Sequence, residues 1–176
     1  GLHIENTDAS FGAFVTGVDL SKDLSSDLVA ELRGLWLEHK VIAFPEQQMN
    51  DSDLERFSLY FGEFGEDPFL GNIEGHENIA AIQRNADETT PIFAENLHSD
   101  WSFLDVPPAG TCLFGIKIPP EGGNTLFADQ VAAYENLPDN LRDQADSLVA
   151  IHSAKKGYAP DGKFGEADKA KGRSMN

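Results

Sequence analysis

The residues of this chain best suited to chemistry are His98 and Asp100, separated by Ser99. On an extended strand, side chains two positions apart point to the same side. An imidazole and a carboxylate so placed can converge on one ion. Ferrous iron in many oxygenases is held by two His and one carboxylate on a single face, with the opposite positions open. His98 and Asp100 would supply two of those three ligands. The spacing alone is common, since His3-Ile4-Glu5 repeats it near the start of the chain. The other histidines and the lone thiol read as structural. His39 ends a helix, where its ring suits the C-terminal carbonyls, His76 falls in a polar loop and His152 ends a strand. Cys112 alternates with Phe114, Ile116 and Ile118 and reads as a packed thiol with no His–Cys arrangement to make it a nucleophile. Trp101 and Phe103 flank the His98–Asp100 segment, and Trp101 either lines a pocket or packs.

The elements that must position these groups follow from periodicity. Leu28, Leu32, Leu35 and Trp36 recur at helical spacing and predict a helix over Ser25–His39, capped by Ser25 or Ser26 and favoured at its positive end by Asp27. Val41–Phe44, closed by Pro45, predicts a buried strand. A second helix starts at Asn50 or Asp51, presents Leu54, Phe57, Leu59, Tyr60 and Phe61, and is broken by Gly62 and Gly65. Strands are expected at Ile79–Gln83, Thr111–Ile118, Thr125–Ala128 and Leu148–His152, and short helices at Asp129–Tyr134 and Asn140–Asp146. The Pro119–Gly123 segment is a turn, and its glycines permit close backbone approach just before Thr125; an ordinary tight hairpin would use the same residues. After Ser153 large apolar residues nearly vanish, so 154–176 is expected to be a mobile loop or tail. The pattern is that of one sheet-based α+β domain over 1–176, with fewer strands than the about eight of a closed jelly-roll. Part of such a sheet is expected to be missing at the C-terminal end.

Composition narrows the partners. A formal charge of −17 repels phosphate backbones and anionic membranes, and only Lys169, Lys171 and Arg173 form a weak basic cluster, so nucleic acid is excluded as a partner. No apolar run approaches the roughly 20 residues that span a bilayer, and no signal peptide is visible. A single cysteine rules out an internal disulfide and fits a cytoplasmic location.

The order of motifs carries more than any one of them. His98–Phe103, Pro107-Pro108-Ala109-Gly110, the Thr111–Ile118 run, Gly122-Gly123-Asn124-Thr125-Leu126-Phe127-Ala128-Asp129 and Ala132–Pro138 follow one another in a block that resembles the taurine and 2,4-dichlorophenoxyacetate dioxygenase family. Upstream, Gly17-Val18-Asp19-Leu20-Ser21, the helix to His39, Val41–Phe44, Gln47 or Gln48, and Phe61-Gly62-Glu63 are similar to that family's N-terminal half. The resemblance extends nearly to Ser153. It implies a double-stranded β-helix, the cupin-like jelly-roll, with flanking helices. It also implies His98 and Asp100 as ligands of Fe(II), and Thr125 as a hydroxyl contact to the carboxylate of the cosubstrate 2-oxoglutarate. The implied activity is hydroxylation by O2 of a small organic anion, of sulfonate, aryloxyalkanoate or sulfate ester type, with release of succinate and CO2.

The chain departs from the family's pattern in places. Leu97 stands where a Trp is common before the first ligand, and Asn124 where the glycine turn usually carries Asp. The taurine-cleaving branch holds its sulfonate with a His, a Tyr and an Asn at positions that match Asp67, Leu70 and Ala94 here. A carboxylate at Asp67 would repel a sulfonate, so a small anion other than taurine is expected. The family's second iron-binding His and its 2-oxoglutarate-binding Arg come after the point matching Ser153, and neither His152 nor Arg173 can replace them. The expectation is therefore a partial iron site, no turnover by these residues alone, and self-association as a homo-oligomer. The competing reading is a catalytically silent jelly-roll that binds a small molecule or a partner.

Overall fold

The computed structural model describes residues 1–65, 71–89 and 96–154. The chain divides into two compact units, one of Gly1–Glu63 with Cys112–Gly123 and one of Phe64–Thr111 with Asn124–Asn176.

In the first unit β1 (His3–Asn6) pairs antiparallel with β2 (Ala13–Thr16), and β2 pairs parallel with β3 (Ile42–Ala43). A parallel neighbour needs a crossover, and α1 (Ser26–His39) supplies it. Its N-cap is Ser25, whose hydroxyl accepts from the Leu28 amide, and Asp27 lies in the first turn as expected. The helix stops at Lys40, whose φ of 66° turns the chain towards β3. Next, α2 (Asp51–Leu59) opens with a capping box in which Asn50 accepts from the Asp53 amide and Asp53 accepts from the Asn50 amide. The two helices and β2 enclose a core of Val15, Leu20, Leu32 and Phe57, with Leu32 and Val15 fully buried. Phe57 packs edge-to-face with Phe44 and Phe61, at ring centroids 5.5 and 5.2 Å apart, and Trp36 meets Phe61 at 5.7 Å. The Gln47 amide is pinned between the 18–20 backbone and its own loop, accepting from the Leu20 amide at 2.9 Å and donating to the Val18 carbonyl at 3.1 Å.

The second unit holds a hairpin of β4 (Asn72–Ile73) and β5 (His76–Ala80), then α3 (Gln130–Glu135) and α4 (Asp139–Asp146). Asp129 caps α3 by accepting from the Val131 and Ala132 amides.

All four predicted helices form within a residue or two of their expected ends. The strands fare differently. Thr111–Ile118, Thr125–Ala128 and Leu148–His152 form no strand. A strand exists only by pairing, and these segments have no ladder partner among the described residues, so their alternating apolar residues lie exposed, up to 86% for Ile116 and 91% for Ile151. Cys112 is accordingly exposed rather than packed. The strand expected at Ile79–Gln83 begins earlier, at His76, which places that histidine on β5 and not in a loop. Among the described residues no helix is long and apolar enough to cross a membrane. Of the expected tail, 155–176 lies outside the described residues.

Candidate metal centre

Asn96–Asp100 runs as irregular backbone into a tight turn over 100–103, closed by the Leu104 amide donating to the Trp101 carbonyl at 3.0 Å. His98 and Asp100 therefore do not meet by sharing a strand face. The turn brings them together. Trp101 sits at φ 44°, a left-handed conformation unusual for a bulky residue, and this reversal directly follows Asp100. Its ring packs edge-to-face on Phe103, with centroids 6.0 Å apart.

The His98 ring is held at both nitrogens. Nδ1 lies 2.8 Å from the Asn96 carbonyl oxygen, and a carbonyl can only accept, so Nδ1 carries the proton. In the neutral ring Nε2 then carries the lone pair through which a histidine ligates a metal. It faces Asp100 Oδ1 at 3.1 Å. Two acceptors so close repel unless a cation lies between them, either a proton on the ring or a metal ion. Two ligands at right angles around an ion about 2.1 Å from each stand about 3 Å apart, so the observed separation suits a shared edge of an octahedral site. The second carboxylate oxygen of Asp100 accepts from the Thr111 hydroxyl at 2.6 Å. Both side chains are about half-exposed and reachable from solvent. His98 also lines a cleft of about 210 Å³ with Leu97, Ser99, Leu126, Phe127, Ala128 and Gln130, a space of the order of a small dicarboxylate.

Thr125 immediately precedes the lining segment 126–128 and is exposed, but the cleft is not lined by it. The turn before it has the geometry expected of glycine, with φ of 76° at Gly122 and 69° at Gly123. Asp67, Leu70 and Ala94 lie outside the described residues. Among the described residues no group of three His, Cys, Asp or Glu side chains could hold a metal, so His98 and Asp100 stand as a pair. His152 shares a hydrogen bond with Ser102 Oγ at 2.8 Å through Nδ1, two residues beyond Asp100. His3 and Glu5 lie on exposed β1. Thr111 and the Asn96 carbonyl are the contributors that spacing could not reveal. Thr111 lies eleven residues from Asp100, beyond the Pro107–Gly110 turn, and a backbone carbonyl leaves no mark in a sequence.

Residues 3–174 match the family described as Taurine catabolism dioxygenase TauD, TfdA family. The chain is similar to the alkylsulfatase of Acinetobacter baylyi, at 34% identity over 158 residues, which are 89% of this chain and 49% of that protein. It is also similar to the alpha-ketoglutarate-dependent sulfate ester dioxygenase of Pseudomonas putida, at 31% identity over 159 residues, 90% of this chain and 52% of that protein. Among solved structures, a taurine dioxygenase from Burkholderia xenovorans superposes with a TM-score of 0.69 at 29% identity, covering 86% of this chain and 53% of that one. The chain spans about half the length of the curated relatives it matches.

Proposed function

We propose, since the chain belongs to the taurine catabolism dioxygenase TauD, TfdA family, that it supplies the first two iron ligands of an Fe(II)- and 2-oxoglutarate-dependent dioxygenase acting on a small organic anion. The observation that carries this reading is the juxtaposition of His98 Nε2 and Asp100 Oδ1, 3.1 Å apart, with the His98 ring lining a small cleft. Bound iron supplies oxidative decarboxylation of 2-oxoglutarate coupled to hydroxylation, so that O2, 2-oxoglutarate and a C–H bond yield CO2, succinate and an alcohol. This chain's part is to hold and orient. Asn96 fixes the His98 tautomer, Asp100 supplies the negative charge, and the Thr125 hydroxyl donates to a cosubstrate carboxylate. Leu97, Leu126 and Phe127 contribute apolar side chains to the cleft beside His98. The surrounding fold is read as a jelly-roll, in line with the taurine dioxygenase likeness.

Sulfate esters are the first substrate class to test, because the two relatives above are named as an alkylsulfatase and a sulfate ester dioxygenase. Hydroxylation at the carbon bearing the ester oxygen gives a product that collapses to an aldehyde and free sulfate. Sulfonates and aryloxyalkanoates follow. Asp67, Leu70 and Ala94 replace the polar set expected for taurine, so Asp67 in particular is proposed to disfavour it.

The test is anaerobic addition of Fe(II) and 2-oxoglutarate to a protein that carries residues 1–176 at the full length of these relatives. A visible charge-transfer band is expected, lost in His98→Ala, and succinate should form on adding O2 with an alkyl sulfate. A complete protein with no such band, or a band that survives His98→Ala, would establish the silent binding jelly-roll instead.

A further inference from the structure

The hydroxyl of Thr111 is bonded to the one carboxylate oxygen of Asp100 that does not face His98. Asp100 Oδ1 looks towards His98 Nε2 at 3.1 Å, while Oδ2 accepts from Thr111 Oγ1 at 2.6 Å, the short distance of a charge-assisted hydroxyl–carboxylate bond. We infer that Thr111 is a positioning residue for the metal site, holding Asp100 to one-oxygen ligation so that the neighbouring coordination position stays open. This inference rests on the reading of His98 and Asp100 as ligands.

Metal ligation and hydrogen bonding compete for the same carboxylate lone pairs. A free carboxylate beside a divalent ion can ligate through one oxygen or clamp it with both. An oxygen engaged by a hydroxyl donor at 2.6 Å is turned away from the ion and has part of its charge already neutralised, so clamping would first have to break that bond. The position that Oδ2 would otherwise take is one that a cosubstrate or O2 requires. The bond also fixes the carboxylate rotation, as Asn96 fixes the ring of His98 on the other side. The two ligands are therefore each held by a group behind them, and such supporting partners typically change metal affinity by about 10- to 100-fold. Thr111 is exposed and makes no core contact, so its replacement should leave the fold intact.

Co(II) serves as the probe, because its visible absorption reports both binding and coordination number. The 176-residue chain, Thr111→Val, Thr111→Ser and His98→Ala are titrated anaerobically, with circular dichroism run in parallel. The expected result is saturable binding by the parent chain, none by His98→Ala, affinity about 10- to 100-fold weaker in Thr111→Val with an altered band intensity, and recovery of both in Thr111→Ser. Equal affinity and an identical spectrum in Thr111→Val would overturn the role of Thr111 while leaving the ligand pair standing. A parent chain that binds no Co(II), or binds it undiminished in His98→Ala, would overturn the ligand reading itself and this inference with it. If Thr111→Val loses helical signal, Thr111→Ala is read in its place, and affinity retained there would equally overturn the inference.

Discussion

His98 Nε2 and Asp100 Oδ1 face each other across 3.1 Å, a contact that either a proton on the ring or a metal ion can bridge, and this makes the pair informative at the scale of single residues. An exposed ion pair of this kind contributes only about 0–1 kcal/mol to stability. Replacing His98 with Ala should therefore scarcely move the thermal midpoint while removing metal binding, which calorimetric unfolding with and without Co(II) would reveal. A second residue-scale consequence concerns Tyr134, whose hydroxyl donates to the Asp146 carboxylate. That bond, burial and the nearby negative charge each disfavour the phenolate, so Tyr134 ionises above the ordinary tyrosine range. Ultraviolet titration should show a late-ionising tyrosine that Asp146→Asn returns towards the usual value; an unchanged curve would contradict the contact. The closeness of His98 and Asp100 was legible from residue types and motif order. Its supports were not, because Thr111 reaches Asp100 only through a turn of the chain.

At the scale of elements, the helices were legible because their signals are local. Ser25 and Asn50 cap where a hydroxyl and an amide should, and Leu32 falls on the stripe facing the core. Fully buried Leu32 makes the point testable: Leu32→Ala should cost about 2–5 kcal/mol in denaturant unfolding, the range for a leucine cavity in a packed core. The α2 cap gives a pH dependence with a definite sign. Asp53 is held below the usual carboxylate value by the Asn50 amide, assisted by Arg56. An unfolded Asp titrates near about 3.9, so around and below that pH the unfolded chain binds the extra proton. Its contribution is present above that pH and fades as pH falls through the lower folded value. Stability should therefore rise with pH across this acid window, and more shallowly in Asp53→Asn; parallel curves would remove the cap from the account. Strands were less legible, for a physical reason. β1 and β2 are four residues long, β1 is exposed throughout, and their pairing is decided by a partner that periodicity cannot name. Conversely, Thr111–Ile118 alternates well and still makes no ladder, because alternation describes a face and pairing requires a neighbour.

At the scale of the whole molecule, Ile116, Ile118, Leu126, Leu148, Val149 and Ile151 are all more than two-thirds exposed. Apolar surface on this scale favours association, so sedimentation velocity should show mass rising with concentration, and a monomer at all concentrations would count against it. With no group of three metal-ligating side chains among the described residues and only the proposed His98–Asp100 pair, the 176-residue chain should release no succinate with Fe(II), 2-oxoglutarate and an alkyl sulfate. Stoichiometric turnover by a monomer of this length would refute that. One exposed side chain offers something more. Cys112 is the only thiol in the sequence and follows Thr111 directly along the backbone. A maleimide dye or nitroxide can therefore be attached at a single chemically defined point without altering any other residue, beside the group that grips Asp100. The molecule comes with its own attachment site for a reporter, and emission or line shape recorded there would follow the arrival of an ion in real time.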